Sequence, residues 1–188
     1  MSISTFLYGL KVALIAAVGV EQIEMEEPKK ALEAAGAIVQ IVSPDEGKVQ
    51  AWDCYALHKR DEFIVDIPLK DARAEDFDAL VIPGGMFIDD IRLAENASTF
   101  IEGFKDKPIA SICHGQQLLI GTGFVQGKTL TSHPGIEIDL VNAGGKWVDQ
   151  EVVRDGLLLT GRKRSDTPAF NQAMLELFKE YLSTKKRS

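Results

Sequence analysis

The stretch Pro108-Ile109-Ala110-Ser111-Ile112-Cys113-His114-Gly115-Gln116-Gln117-Leu118-Leu119-Ile120-Gly121 reads as a short apolar strand, Pro108 to Ile112, that turns abruptly into a helix over His114 to Gly121. A strand apolar at nearly every position is covered on both faces, which is the habit of parallel sheets. Working outward, the same pattern recurs. Lys11 to Ala16, Ile38 to Val42, Phe63 to Ile67, Asp78 to Ile82 and Leu157 to Thr160 are short apolar runs. Longer amphipathic stretches alternate with them: Glu24 to Ala35, Asp89 to Phe104, and a last helix opened by Thr167-Pro168, with Phe170, Met174, Leu177, Phe178 and Tyr181 at helical spacing. Pro at the first helical position and Gly36 just past Ala35 fit helix boundaries. Strands alternating with helices predict an α/β fold, three layers deep, around a mostly parallel central sheet. Asp45 to Arg73 is the least regular region and is expected to hold a hairpin or an inserted loop.

The chain has 188 residues, 45% of them apolar and 26% charged, which suits a single globular domain with a sizeable core. Residues 11–182 are expected to form that domain, with short tails at 1–10 and 183–188. The net charge of −7 argues against nucleic acid as the main partner. No apolar run approaches the roughly 20 residues of a membrane span. The first residues lack the basic start of a signal peptide. Two cysteines cannot build a disulfide framework and point to a reducing compartment, so a cytoplasmic location is expected. Three histidines, with no paired-His or Cys-x-x-Cys spacing, speak against a metal site; no phosphate-binding glycine loop follows the first strand. No cofactor is expected.

In sheets of this kind reactive groups gather in the loops at the carboxyl ends of strands. Cys113 sits where a nucleophile elbow would place it, with small residues Ser111 and Gly115 two before and two after. The helix expected from His114 would point its positive end at the sulfur. The bland alternative is a buried structural thiol, common for free cysteine. Pro83-Gly84-Gly85, after another strand, lets backbone approach closely, and the N–H groups of Gly85 and His114 are candidates for an oxyanion hole. Alone, that tripeptide would be a plain turn.

Ala110-Ser111-Ile112-Cys113-His114-Gly115, with Leu118-Leu119 after it, resembles the cysteine elbow of the PfpI family, within the superfamily of intracellular protease-like, glyoxalase III-like and parkinsonism-associated proteins. Val81-Ile82-Pro83-Gly84-Gly85 is similar to its oxyanion loop, and Gly19 to Glu24, four residues before Pro28, to its first acidic loop. Trp52-Asp53, Thr131-Ser132-His133-Pro134, Asn142-Ala143-Gly144 and Asp166 to Asn171 are similar to further signatures. The resemblance covers about residues 11 to 182. It implies a flavodoxin-like sandwich, a low-pKa cysteine and a carboxylate from the first loop at the sulfur. By its spacing to Pro28 that carboxylate is Glu24, with Glu21 close by; the alternative is an acidic first turn suited to the helix dipole. The resemblance also implies an acidic residue after Pro-Gly-Gly that reaches the histidine of a neighbouring subunit. Asp89 occupies that position, and would equally suit a helix N-cap.

Three departures from the family pattern bear on substrate preference. His133 stands where Tyr is usual, near the site mouth. Gln116 stands where Pro is commonest, and Gly161-Arg162-Lys163-Arg164 replaces a less basic stretch. Glu21, Gly84 and His133 are the expected pocket residues. Cys54 has no spacing that links it to Cys113 and is expected to be structural or on the surface. The leading expectation is a cofactor-free glyoxalase or deglycase acting on small aldehydes or glycated molecules, as a homo-oligomer. The others are a cysteine peptidase or amidase using Cys113, His114 and Asp89 on peptide substrates, and a non-enzymatic redox sensor. A glutaminase would need a His well downstream of the cysteine, and none follows His133.

Overall fold

The computed structural model describes residues 5–86 and 88–186. In chain order the elements are β1 (Lys11–Ile15), α1 (Gln22–Ala34), β2 (Ile38–Ser43), β3 (Lys48–Asp53), β4 (His58–Ile64), β5 (Ile67–Pro68), β6 (Ala79–Ile82), α2 (Ile88–Leu93), α3 (Ala97–Glu102), β7 (Ile109–Ile112), α4 (Gln117–Ile120), β8 (Thr129–Leu130), α5 (Glu137–Asn142), β9 (Lys146–Trp147), β10 (Val152–Asp155), β11 (Leu158–Gly161) and α6 (Thr167–Lys185). Seven strands form the central sheet in the order β10-β11-β7-β6-β1-β2-β5. All pairings are parallel except β10 with β11. The run β2-β1-β6-β7-β11 is the flavodoxin-like strand order, so the expected architecture stands.

Alternation along each strand divides the core between two faces. Val12 and Leu14 of β1, with Val81 and Ala110, pack with Met25 and Leu32 of α1 and with Phe170, Met174, Leu177 and Phe178 of α6. Ala13 and Ile15, with Leu80, Ile82 and Ile109, pack instead with α2, α3, α4 and α5. On α6 the buried stripe closes on Leu182 rather than Tyr181.

The structure corrects several expectations. The single helix read over Asp89 to Phe104 is two. Between them Asn96 stands at the N-cap position of α3 in the left-handed region at φ 69°, without a side-chain capping bond, a conformation Asn tolerates better than most residues. α1 begins at Gln22, which leaves Pro28 in its interior rather than near its first turns. The strand read at Phe63 to Ile67 is the end of β4 followed by β5. β3 and β4 form an antiparallel hairpin outside the main sheet, as one of the two readings of that region had it. Leu7 and Leu10 of the expected N-terminal tail are fully buried, and the Leu7 N–H donates to the Ala35 carbonyl. At the other end α6 continues to Lys185. Residues 1–4 and 187–188 of the expected tails lie outside the described residues. Among the described residues no helix is long and apolar enough to cross a membrane.

Candidate active site

The strand order reverses between β1 and β6, and ligands of such folds sit at that crevice. The loops leaving these two strands are laced together there: the Glu21 N–H donates to the Gly84 carbonyl at 3.1 Å and the Met86 N–H to the Gly19 carbonyl at 3.0 Å. A side chain on Gly85 would place its Cβ 2.5 Å from the Gly19 oxygen, so only glycine allows the lacing. The Gly85 N–H makes no backbone hydrogen bond among the described residues.

Cys113 follows β7 at φ 64°, a left-handed conformation rare outside glycine. Its N–H donates to the Gly161 carbonyl on β11, and its carbonyl accepts the His133 N–H. A Cβ on Gly115 would stand 2.6 Å from the Ile82 oxygen and 2.8 Å from the Pro83 oxygen, so the tight turn needs glycine. The expected helix over His114 to Gly121 is shorter than the sequence suggested. Cys113 to Gln116 form a turn, and α4 is only four residues long. Little helix dipole is therefore aimed at the sulfur.

Gln116 takes over the fastening of the elbow. Its buried amide nitrogen lies 3.2 Å from the Ser111 carbonyl, 3.1 Å from that of Thr131 and 2.9 Å from that of Gly161. One side chain thus ties β7, β11 and the segment after β8 together.

Glu24, in the first turn of α1, is fully buried and reaches the same point. Its Oε2 accepts the Gly84 N–H at 3.0 Å. A Cβ on Gly84 would meet that oxygen at 2.5 Å and the Cys113 Cβ at 2.8 Å, which shows how tightly the three residues pack. Burial, reinforced by Glu21, pushes the Glu24 carboxyl up to about 8, so it carries a proton at neutral pH. Its Oε1 has no hydrogen-bond partner among the described residues, so the protonated carboxyl beside Cys113 has a hydroxyl free to turn to the sulfur. Burial, and the Glu24 charge once that carboxyl ionises, push the Cys113 thiol up, while the His114 N–H aimed at the sulfur opposes this. Burial thus acts against the low-pKa cysteine that the resemblance implies. The His114 Nδ1 lies 3.3 Å from the sulfur, and burial keeps that imidazole neutral to lower pH than usual.

A pocket of about 350 Å³ opens above the sulfur, lined among others by Glu21, Glu24, Cys113, His114 and His133. The His133 ring stacks on the His114 ring, centroids 4.4 Å apart and planes 25° from parallel. The buried Glu21 carboxylate accepts the Cys54 N–H at 2.8 Å and lies 3.7 Å from Arg164. Glu26 and Glu27 instead pair with Lys30 on the outer side of α1. Asp89 lines the pocket but touches Arg92, not His114. It lies inside α2 rather than at its N-cap position.

Cys54 lies on the pocket wall and not on a remote surface, because the β3–β4 hairpin folds its tip over the site. Its burial and the Glu21 charge raise the thiol to about 12. Tyr55 beside it lies under the Arg164 guanidinium at 4.4 Å, and Arg164 also pairs with Asp53 at 2.9 Å, clamping the tip. The sequence signal for this was Trp52-Asp53 together with the unusually basic 162–164 stretch. Among the described residues no group of three His, Cys, Asp or Glu is placed to hold a metal ion.

Fold and site together define a doubly wound α/β protein with a cysteine on a strand-end elbow, a buried carboxyl against its sulfur and a histidine beside it. The description of the DJ-1/PfpI family matches residues 10–177, and the chain belongs to that family. A Pyrococcus horikoshii protein named as a deglycase is 38% identical over 175 residues, covering 90% of this chain and all of its own. A Bacillus subtilis protein, whose name marks it as a candidate cysteine protease, is 37% identical, covering 90% of this chain and 98% of its own. Among solved structures, a two-domain Anabaena variabilis protein with DJ-1/ThiJ/PfpI-like and ferritin-like domains superposes with a TM-score of 0.82 at 34% identity. That match covers 89% of this chain, which spans 47% of the larger one.

Proposed function

We propose that this chain is a cofactor-free, cysteine-dependent enzyme of the glyoxalase III or deglycase type, acting on small reactive aldehydes. The observation that carries the reading is the Cys113 sulfur, set between a protonated, buried Glu24 and the Nδ1 of His114 at 3.3 Å. The pocket above it, about 350 Å³, is at the small end of ligand cavities and suits a compact aldehyde better than a peptide chain.

The chemistry follows from the proton positions. His114 Nδ1 takes the thiol proton, and the thiolate adds to the aldehyde carbon of a dicarbonyl such as methylglyoxal. Negative charge moves to the former aldehyde oxygen, where the Gly85 and His114 N–H groups receive it. The imidazolium returns its proton to that oxygen, giving a hemithioacetal. A base, His114 or Glu24 in its ionised form, removes the hydrogen on the same carbon to give an enediol, the hydroxyl proton passes from the first oxygen to the second, and the base returns its proton to the neighbouring carbon. The product is a thioester of a 2-hydroxy acid, which water cleaves to lactate and the free thiol. Oxidation of one carbon balances reduction of the other, so no external redox partner is needed.

Asp89 has a role in this reading only from outside its own subunit, since within the chain its carboxylate pairs with Arg92. Reaching across an interface, it would accept from the edge of the His114 ring in a homo-oligomer. A cysteine peptidase would use the same elbow, and the candidate-protease name of the Bacillus relative keeps that reading in play. Lactate formation from methylglyoxal, assayed beside a fluorogenic peptide panel, separates the two. Wild type is expected to make lactate, Cys113→Ser to make none and Cys54→Ser to retain activity. Peptide cleavage without lactate formation would replace the proposal by the peptidase reading.

A further inference from the structure

We infer that His133 is a positioning residue for His114: a neutral imidazole, fixed by backbone hydrogen bonds, on which the His114 ring lies flat beside the Cys113 sulfur. The inference rests on the cysteine–histidine reading of the site, but not on the identity of the substrate.

His114 follows the nucleophile directly and needs something to set the plane of its ring. Among the described residues no carboxylate of its own chain hydrogen-bonds it. What the ring does have is His133, stacked at 4.4 Å. His133 is in turn built into the elbow. Its N–H donates to the Cys113 carbonyl at 3.1 Å, and its Nδ1 accepts the Gly135 N–H at 3.1 Å. The Ser132 hydroxyl beside it donates to the His133 carbonyl and accepts the Trp147 indole N–H. The platform therefore moves with the cysteine it serves.

The Gly135 contact also decides the charge. An Nδ1 that accepts a backbone N–H leaves the single ring proton on Nε2. A second proton would have to enter at Nδ1, directly against the Gly135 N–H. Burial and the nearby Lys163 act in the same direction on His133. The other charged and titratable groups around the two rings do not offset this. Glu24 is neutral below about 8 and the Cys113 thiol is neutral at rest. The Glu21 charge is taken up by the Cys54 N–H and Arg164, and that of Asp89 by Arg92. A neutral ring under His114 has a specific advantage. When His114 accepts the thiol proton, the imidazolium lies on an uncharged π face rather than against a second cation.

The test has two arms. In wild-type protein, nitrogen-resolved NMR of the imidazoles is followed against pH. His133 is expected as the Nε2–H tautomer and to take up its second proton below the ordinary histidine value of about 6.5. In the second arm the rate of Cys113 alkylation by iodoacetamide is measured against pH for wild type, His133→Ala and His133→Phe. Alanine removes the platform and is expected to slow alkylation at neutral pH by about tenfold to a hundredfold and to shift the acid limb. Phenylalanine keeps a flat neutral ring and is expected to restore most of the rate. A His133 that titrates normally or carries its proton on Nδ1 would overturn the inference. So would an alanine variant with the wild-type rate and acid limb. Methylglyoxal turnover by wild type, run alongside, isolates the other failure: no lactate with the alkylation pattern intact refutes the aldehyde substrate and supports the stacked pair.

Discussion

Replacing Glu24 by Gln tests the electrostatic centre of the site. The native carboxyl titrates near 8 because it is fully buried, whereas an unfolded glutamate titrates near its ordinary 4.5. Between those two values the folded protein holds one proton more than the unfolded chain, so folding stability falls as pH rises. Each unit is worth about 1.4 kcal/mol, and the interval from about pH 6 to pH 8 therefore costs wild type roughly 2–3 kcal/mol. Gln does not ionise. Its carbonyl can accept the Gly84 N–H and its amide can donate to the sulfur, so both contacts of the protonated acid are kept. Urea unfolding at about pH 6, 7 and 8 should show wild type losing ground to Glu24→Gln by roughly 2–3 kcal/mol across that window. Parallel curves for the two proteins would mean that Glu24 is already ionised in the folded state near pH 6. The account of it as a proton donor to Cys113 would then fall.

Gly84→Ala should both destabilise the fold by roughly 1–3 kcal/mol, as overpacking does, and slow Cys113 alkylation, because the new methyl meets Glu24 and Cys113 at once; thermal melts and labelling kinetics check it. Gln116→Ala strips a donor from three buried carbonyls and should cost about 1–3 kcal/mol in denaturant titrations. Arg164→Ala should free the hairpin tip, seen as faster alkylation of Cys54 and amide exchange at Tyr55, with little loss of global stability. Mixing inactive Cys113→Ser with Asp89→Asn subunits should recover part of the activity if Asp89 acts across an interface. Full activity of Asp89→Asn alone would remove it from the site.

The parts of the fold written in apolar runs could be read directly. β1, β6, β7 and β11 lie in the middle of the sheet, where both faces demand Val, Ile, Leu or Ala, and their limits were found within a residue or two. The β3–β4 hairpin was hard to place because β4 is exposed almost throughout and carries no burial signal. The break before α3 depends on one Asn in a left-handed conformation, which the helical period on either side conceals. At the site, the elbow and the Pro-Gly-Gly loop announce themselves through small residues that steric crowding requires. Glu24 was singled out by the family resemblance and its spacing to Pro28, while the burial that raises its carboxyl is created only by the tertiary structure. The pocket position of Cys54 and the stacking of His133 on His114 were illegible for a related reason. Each joins residues from separate loops, and no local pattern encodes their meeting.

The left-handed backbone of Cys113 has a consequence for stability. Holding a non-glycine residue at φ 64° costs of order 1–3 kcal/mol, and glycine would relieve that cost at once. On the proposed chemistry that strain is what holds the sulfur over the pocket, and Cys113→Gly is expected to be the more stable protein and an inactive one.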